Sequence, residues 1–442
     1  MSETSLCDKE KDNLLMMRDI QKMLESDGNM LAEIVGVYTP AFMQIRLSFP
    51  FDGEFSHLEP WQKGTYLHEY VHYLQNISTP FGLLRSLLVY WNMTDMFAYL
   101  HTLSADTVVQ LPVSFSLDKK KETEWKRHLL FSRGCTFREL PSKEIAPGEK
   151  IGIDIKNIVY NQHNYEIVEL NLMLSDGQRY NVILGGDIIM ESMAAMCQHM
   201  IDPNSTHQGI DIPYNLVKLL CQQHYPSIAA DESKLVVLCY ISLFSMNPGL
   251  ALIEQLDYAE HNPNASGEDI LNRFVMQNSI IVKGARKGVI EFFDSMVDDF
   301  KSLLSKTIQC PLDSIGEALE RVKLSNAIPP FVAAFADGII DDEKFGQLSG
   351  YYGTPYIYSI EEKWYKYPES LKNPGQESQD MIALIGYHAL FNYLSNKGHQ
   401  CPLCFLDCSL KPECKQTPWE GNPCPVQVMA QALQIDKLKL AP

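Results

Sequence analysis

The sequence has little positive charge. Its 37 lysine and arginine residues stand against 55 aspartate and glutamate residues, which gives a net charge of −18. The densest basic segment is Lys119–Lys121, which is short and is followed by Glu122. Because such a surface repels phosphate backbones, we expect no nucleic acid among the partners. We attribute the acidity to solubility and not to recognition of a basic substrate.

Long apolar runs, internal repeats and low-complexity tracts are also absent. No run approaches the roughly 20 apolar residues that cross a bilayer. The first residues lack the basic and apolar regions of a secretory signal. We therefore expect a cytoplasmic protein without a membrane partner. The pattern gives no indication of the oligomeric state.

The pattern along the chain predicts an α+β fold that is mostly helical. We divide the chain into four regions. They are an N-terminal helix, two strands and a long helix in 1–106; a β-rich insertion in 107–184; a helical domain in 185–346; and a Tyr-, Gly- and Pro-rich loop region, a helix and a cysteine-rich segment in 347–442.

Three local signals set expected boundaries within these regions. Two β-like runs, 31–38 and 42–49, predict a pair of strands. Pro60 predicts the start of a helix that ends near Pro80. Ser175–Gly177 predicts a hairpin turn in the β-rich region.

The predicted helix after Pro60 carries His68-Glu69-Tyr70-Val71-His72. Residues four apart share one face of a helix, so His68 and His72 can offer two imidazole nitrogens to one Zn²⁺. Glu69 lies next to the first ligand and can accept a proton from a zinc-bound water. The alternative is a pair of histidines that pack in a core or form hydrogen bonds near the surface.

The flanks of this motif are uncharged. Glu69 is the one charged residue between Thr65 and Leu74, and a solvated helix face would carry more. The segment resembles the extended HExxH signature of zinc metallopeptidases. The resemblance implies a zincin-like core, a catalytic Zn²⁺ held by His68 and His72, and Glu69 as general base.

A catalytic zinc site needs a third protein ligand. No histidine follows closely after His72, so the resemblance is to the gluzincin type, which takes a glutamate from a later helix. Glu191 is our candidate, because it is a lone carboxylate in an apolar stretch and would need a cation if buried. A salt-bridged Glu191 is the alternative, and Glu254 and Glu268 are rivals in more polar surroundings. We expect Asp187 to cap this helix and to orient a ligand histidine.

Peptidases of this type often add a tyrosine or histidine that donates to the developing oxyanion. The candidates are His199, on the helix after Glu191, and Tyr351 and Tyr352, a glycine-flanked pair in the predicted loop region. The alternative for the tyrosines is packing within an irregular loop.

The 11 cysteines include five in one C-terminal segment. An odd count without an export signal indicates thiols in a reducing compartment. The spacing of the five predicts a second, structural metal site, with His399 as a further possible ligand. The ligand could be Zn²⁺ or an iron–sulfur cluster, and disulfides or free thiols are the alternative. The five are Cys401, Cys404, Cys408, Cys414 and Cys424.

These features together predict a zinc metallopeptidase that hydrolyses peptide bonds in a cytosolic peptide or protein. The strands within 31–49 could form the sheet edge along which an extended substrate pairs. One alternative is a non-catalytic zinc-containing binding or regulatory protein. Another is a zinc hydrolase of a non-peptide amide, because the zinc chemistry does not dictate the substrate.

Overall fold

The structure is a computed structural model. It describes residues 36–105, 107–113, 132–134, 144–160, 163–204, 211–282, 284–308, 312–324, 330–335, 338, 340–359, 364–365, 374–395 and 425–441. The predicted N-terminal helix and the five-cysteine segment lie outside these residues, as do residues 31–35 of the first predicted strand.

Helices make up most of the described chain, so the predicted mostly helical α+β class is confirmed. None of the described helices is both long enough and apolar enough to cross a membrane. The helices are α1 (Pro60–Ser78), α2 (Pro80–His101), α3 (Gly186–Ile201), α4 (Leu216–His224), α5 (Glu232–Ser242), α6 (Pro248–His261), α7 (Gly267–Gln277), α8 (Val289–Ile308), α9 (Asp313–Leu324), α10 (Pro330–Phe335), α11 (Asp342–Tyr352), α12 (Pro374–Ser395) and α13 (Pro425–Ala432).

The described strands form four small sheets. The strands are β1 (Gly36–Thr39), β2 (Gln44–Leu47), β3 (Val108–Gln110), β4 (Gly152–Tyr160), β5 (His163–Met173), β6 (Arg179–Leu184), β7 (Ser279–Val282), β8 (Ala285–Gly288), β9 (Tyr356–Tyr358), β10 (Trp364–Tyr365) and β11 (Lys439–Ala441). One sheet has four strands in the order β1-β2-β9-β10. Strands β2 and β9 are parallel, and the other neighbouring pairs are antiparallel. Strands β4, β5 and β6 form an antiparallel sheet, β7 and β8 a hairpin, and β3 pairs in parallel with β11.

Three predicted features of these elements are confirmed. Strands β1 and β2 pair with each other. The turn between β5 and β6 contains Gly177 at φ 81°, a conformation that glycine adopts without strain. The described residues of the predicted helical domain, 185–346, are mostly helical, although the hairpin of β7 and β8 interrupts them.

The boundaries of α1 follow from local chemistry and agree with the prediction. Pro60 occupies the first turn, and the backbone N–H of Glu59 donates to Gln62 Oε1 at 2.9 Å. At the other end, Thr79 Oγ1 accepts from the backbone N–H of Gly82 and so caps α2. From Tyr66 to Ser78 every residue of α1 is buried, so this helix lies at the centre of the molecule.

Helices α1 and α3 pack against each other in antiparallel directions. A Cβ at Gly64, near the start of α1, would lie 3.2 Å from Gln198 Cγ, near the end of α3. At the other end of the pair, Gln75 donates to the backbone carbonyl of Met190 at 3.0 Å. This close approach brings the histidines of α1 to the same interface as Glu191 of α3.

A second face of α1 packs against α11 through aromatic side chains. Phe345 of α11 contacts the rings of Tyr66 and Tyr70, and the Tyr70 hydroxyl donates to the backbone carbonyl of Gly353 at 2.9 Å. The prediction of a loop region from residue 347 is therefore wrong at its start, because α11 continues to Tyr352. Burial of the apolar face of this helix outweighs the weak helix propensity of its glycines.

Candidate metal centre

Three ligand atoms meet where α1 packs against α3. His68 Nε2 lies 3.3 Å from Glu191 Oε2, His72 Nε2 lies 3.4 Å from the same oxygen, and the two Nε2 atoms lie 3.2 Å apart. Zinc bonds of about 2.0–2.1 Å at tetrahedral angles place neighbouring ligand atoms about 3.3–3.4 Å apart. The triangle of atoms thus has the size of one face of a zinc coordination tetrahedron.

A hydrogen bond to Gln75 determines which nitrogen of His72 faces this triangle with a lone pair. The Gln75 amide donates to the Met190 carbonyl, so its Oε1 faces His72 Nδ1 at 2.8 Å. Nδ1 therefore carries a hydrogen, and in the neutral imidazole Nε2 then has a free lone pair. In the protonated imidazole, Nε2 instead donates to the carboxylate oxygen of Glu191, and a metal ion that replaces this proton would bond to both atoms.

The charges of the cluster also favour a cation. Burial alone would lower the pKa of His72, but the charge of Glu191 and its hydrogen bond, with Glu69 and Gln75, raise it to about 9. Burial would raise the pKa of Glu191, but His72 and His68 hold it well below its ordinary value. The cluster therefore stabilises a positive charge, whether a proton or a metal ion supplies it.

Glu69 lies beside the cluster, between α1 and strand β1. Burial raises the pKa of its carboxyl group, while the two histidines and a hydrogen bond from the backbone of Tyr38 oppose this effect. Strand β1 passes close over the carboxylate: a Cβ at Gly36 would lie 2.9 Å from Glu69 Cγ and 3.1 Å from Oε1. The absence of a side chain at residue 36 is therefore required for the observed position of Glu69.

The donor set and the access to it fit a catalytic type of metal site. Two imidazole nitrogens and one carboxylate oxygen are ligands that zinc accepts, and three protein ligands leave a coordination position for a small molecule. The side chains of His68 and His72 are 8% and 10% exposed, whereas that of Glu191 is 27% exposed. Of the three side chains, that of Glu191 is therefore the most accessible to solvent.

A tyrosine that the sequence did not indicate lies against the cluster. The ring of Tyr214 is 5.9 Å from that of His68, centroid to centroid. Burial raises the pKa of its hydroxyl, and the charges of Glu191 and Glu69 raise it further, so the phenol stays protonated and able to donate. Ser192, next to Glu191, donates to the backbone carbonyl of Pro213 at 2.6 Å and holds this segment in place.

The candidate oxyanion donors predicted from sequence make other contacts. His199 Nδ1 contacts Glu232 at 3.2 Å, and the Tyr351 hydroxyl donates to the backbone carbonyl of Arg321 at 3.1 Å. Tyr352 is buried at the end of α11, where its backbone carbonyl accepts from the Tyr73 hydroxyl. These contacts favour structural roles for the three side chains.

Two expectations for Asp187 are wrong. The residue that caps α3 is Gly185, and Asp187 lies inside the first turn. Its carboxylate forms an ion pair with the buried guanidinium of Arg133 and so is not the group that orients a ligand histidine. A buried arginine needs an anionic partner, which explains this pairing, and Gln75 orients His72 instead.

The described cysteines Cys197, Cys221 and Cys239 are free thiols. Burial raises the pKa of each thiol, which makes all three unreactive. The predicted second metal site at residues 401–424 lies outside the described residues and stays a prediction.

Comparison with known proteins gave no match: no family model, no curated protein and no solved structure is significantly similar to this chain. The chemistry of the site therefore has to be inferred from its own geometry.

Proposed function

We propose that this protein is a zinc-dependent hydrolase that cleaves peptide bonds. The observation that carries the proposal is the triangle of His68 Nε2, His72 Nε2 and Glu191 Oε2, with sides of 3.2–3.4 Å. A glutamate sits directly beside this triangle and points its carboxylate into the same buried region. A purely structural metal site has no need of that glutamate.

His68, His72 and Glu191 would hold the ion, and the lone pair of His72 Nε2 is already directed by Gln75. A bound zinc ion would act as a Lewis acid, which acidifies water and polarises a carbonyl group. The remaining steps fall to side chains of the protein.

Glu69 is the general base in this proposal. Its carboxylate accepts the proton of the attacking water and delivers it to the leaving amine. Its raised pKa brings the group closer to neutral pH, where a base can both take up and release a proton. Tyr214, which lies against His68, is the candidate donor of a hydrogen bond to the oxyanion.

The position of β1 supports a peptide as the substrate class. Among the described residues, β1 is the end strand of its sheet, and it passes directly over Glu69. An extended peptide can add to such an edge through backbone hydrogen bonds, which would bring a peptide bond beside the base. A small amide would gain nothing from this strand.

The proposal is tested by comparing protein cleavage in cells that express the parent chain or its Glu69→Gln variant, together with the zinc content of both purified proteins. We expect equal zinc at this site and cleavage products in the parent alone. Glu191→Gln should lose the zinc, while Glu268→Gln, a change of an exposed helix glutamate, should keep both zinc and cleavage. A Glu69→Gln variant that cleaves as fast as the parent would refute the mechanism.

A further inference from the structure

Strand β4 is an edge strand of its sheet among the residues that the structure describes. The sheet order is β4-β5-β6, and within the described part of the chain no strand pairs with the outer side of β4. The strand is nine residues long, lacks proline, and is exposed at each residue from Asp154 to Val159. The exposed residues include Ile155 at 50% and Val159 at 72%. Proteins normally shorten, charge or cover such an edge, because it pairs readily with another strand.

We propose that this edge pairs with β4 of a second copy of the chain, in antiparallel register, with Ile155 opposite Ile155. This register places Asp154 opposite Lys156 of the other copy, and symmetry makes that contact twice. The paired stretch is residues 152–158 of each copy, because the backbone of Ile151 already bonds to the side chains of Gln223 and His224. Both ion pairs and the central Ile155 pair are of the kinds that stabilise neighbouring strands.

The charges of β4 discriminate between registers. A two-fold register centred on Asp154 would place two carboxylates opposite each other, and one centred on Lys156 would do the same with two ammonium groups. Both charged side chains are held along the sheet, since Lys156 forms an ion pair with Glu169, and Asp154 accepts from the amide of Asn171 at 2.8 Å. Of the registers centred on residues 154, 155 and 156, the one centred on Ile155 is the one in which Asp154 of each copy faces Lys156 of the other.

Pairing of this kind would join two three-stranded sheets into one sheet of six strands. The contact consists of one strand from each copy, so it is small, and the dimer should form and dissociate with concentration. The interface is separate from the candidate metal centre and does not depend on the proposed hydrolysis.

Sedimentation and light scattering of the full chain over a range of concentrations test this dimer. We expect the parent to dimerise as its concentration rises. Asp154→Lys should weaken dimerisation about tenfold or more, because two attractive contacts become repulsive. Adding Lys156→Asp to that variant should restore the dimer. Glu149→Lys, the same charge change on an exposed loop residue, should have little effect.

Oxidative cross-linking tests the register. Ile155→Cys should give a disulfide-linked dimer, because the two thiols face each other across the symmetry axis. Asn157→Cys should not, because its two copies would lie about 13 Å apart along the strands. A parent that stays monomeric at every concentration would overturn the proposal. The same result is expected if β4 pairs with a strand of another protein instead, so that alternative would also overturn it. Equal cross-linking by both cysteine variants would overturn the register.

Discussion

Gln75 links the candidate metal centre to the packing of α1 on α3, and its replacement by leucine should damage both. Leucine is close in volume to glutamine but cannot accept from His72 Nδ1 or donate to the Met190 carbonyl. The side chain is fully buried, so water cannot replace either partner. Loss of a hydrogen bond that orients a metal-bound histidine typically weakens metal binding about 10–100-fold, or about 1.4–2.7 kcal/mol.

The same substitution should lower the free energy of unfolding by about 1–3 kcal/mol, the usual cost of leaving buried polar groups unpaired. Gln255→Leu is the matched control, because Gln255 is also buried and contacts Arg273 instead of a metal ligand. Zinc affinity is measured by competition with a chromogenic chelator, and stability by urea unfolding of the metal-free proteins. The reasoning fails if Gln75→Leu binds zinc as tightly as Gln255→Leu does.

Three further predictions concern the base, the ligands and the core. Gly36→Ala should slow hydrolysis about 10–100-fold at unchanged zinc affinity, because the new methyl group displaces Glu69. The control is Gly288→Ala, whose methyl group would meet no atom within 4 Å and should leave the rate of hydrolysis unchanged. Zinc binding at neutral pH should release about one proton from His72, whose pKa is raised to about 9; calorimetry in two buffers that differ in ionisation enthalpy measures this number, and zero would contradict it. Burial lowers the pKa of His388 to about 4. The neutral imidazole should therefore contribute about 3 kcal/mol to stability above about pH 6.5, and this contribution should be lost as the pH falls towards 4. Urea unfolding of His388→Phe should show a flatter dependence of stability on pH in this range.

The parts of the site that could be predicted from sequence rest on local patterns. His68 and His72 lie four residues apart, so one helical turn determines their relative position wherever the helix packs. Glu191 could be predicted from the cost of burying a lone carboxylate in an apolar helix. Gln75 was missed although it carries a local signal, since it follows His72 by three residues on the same helix face.

Other features depend on contacts between distant parts of the chain. Tyr214 reaches the cluster because Ser192 holds Pro213, and no spacing in the sequence indicates this. Asp187 resembles a helix cap in the sequence, but the buried Arg133 takes its carboxylate. Residues 347–352 of α11 were expected to lie in a loop because the segment is rich in glycine, and burial of the helix against α1 outweighs that local tendency.

The most direct test of the candidate metal centre is anomalous diffraction at the zinc absorption edge from crystals of the full chain. The account predicts one zinc ion bonded at about 2.0–2.2 Å to Nε2 of His68, Nε2 of His72 and a carboxylate oxygen of Glu191. Zinc found elsewhere, with these three side chains unbound in zinc-saturated crystals, would contradict it.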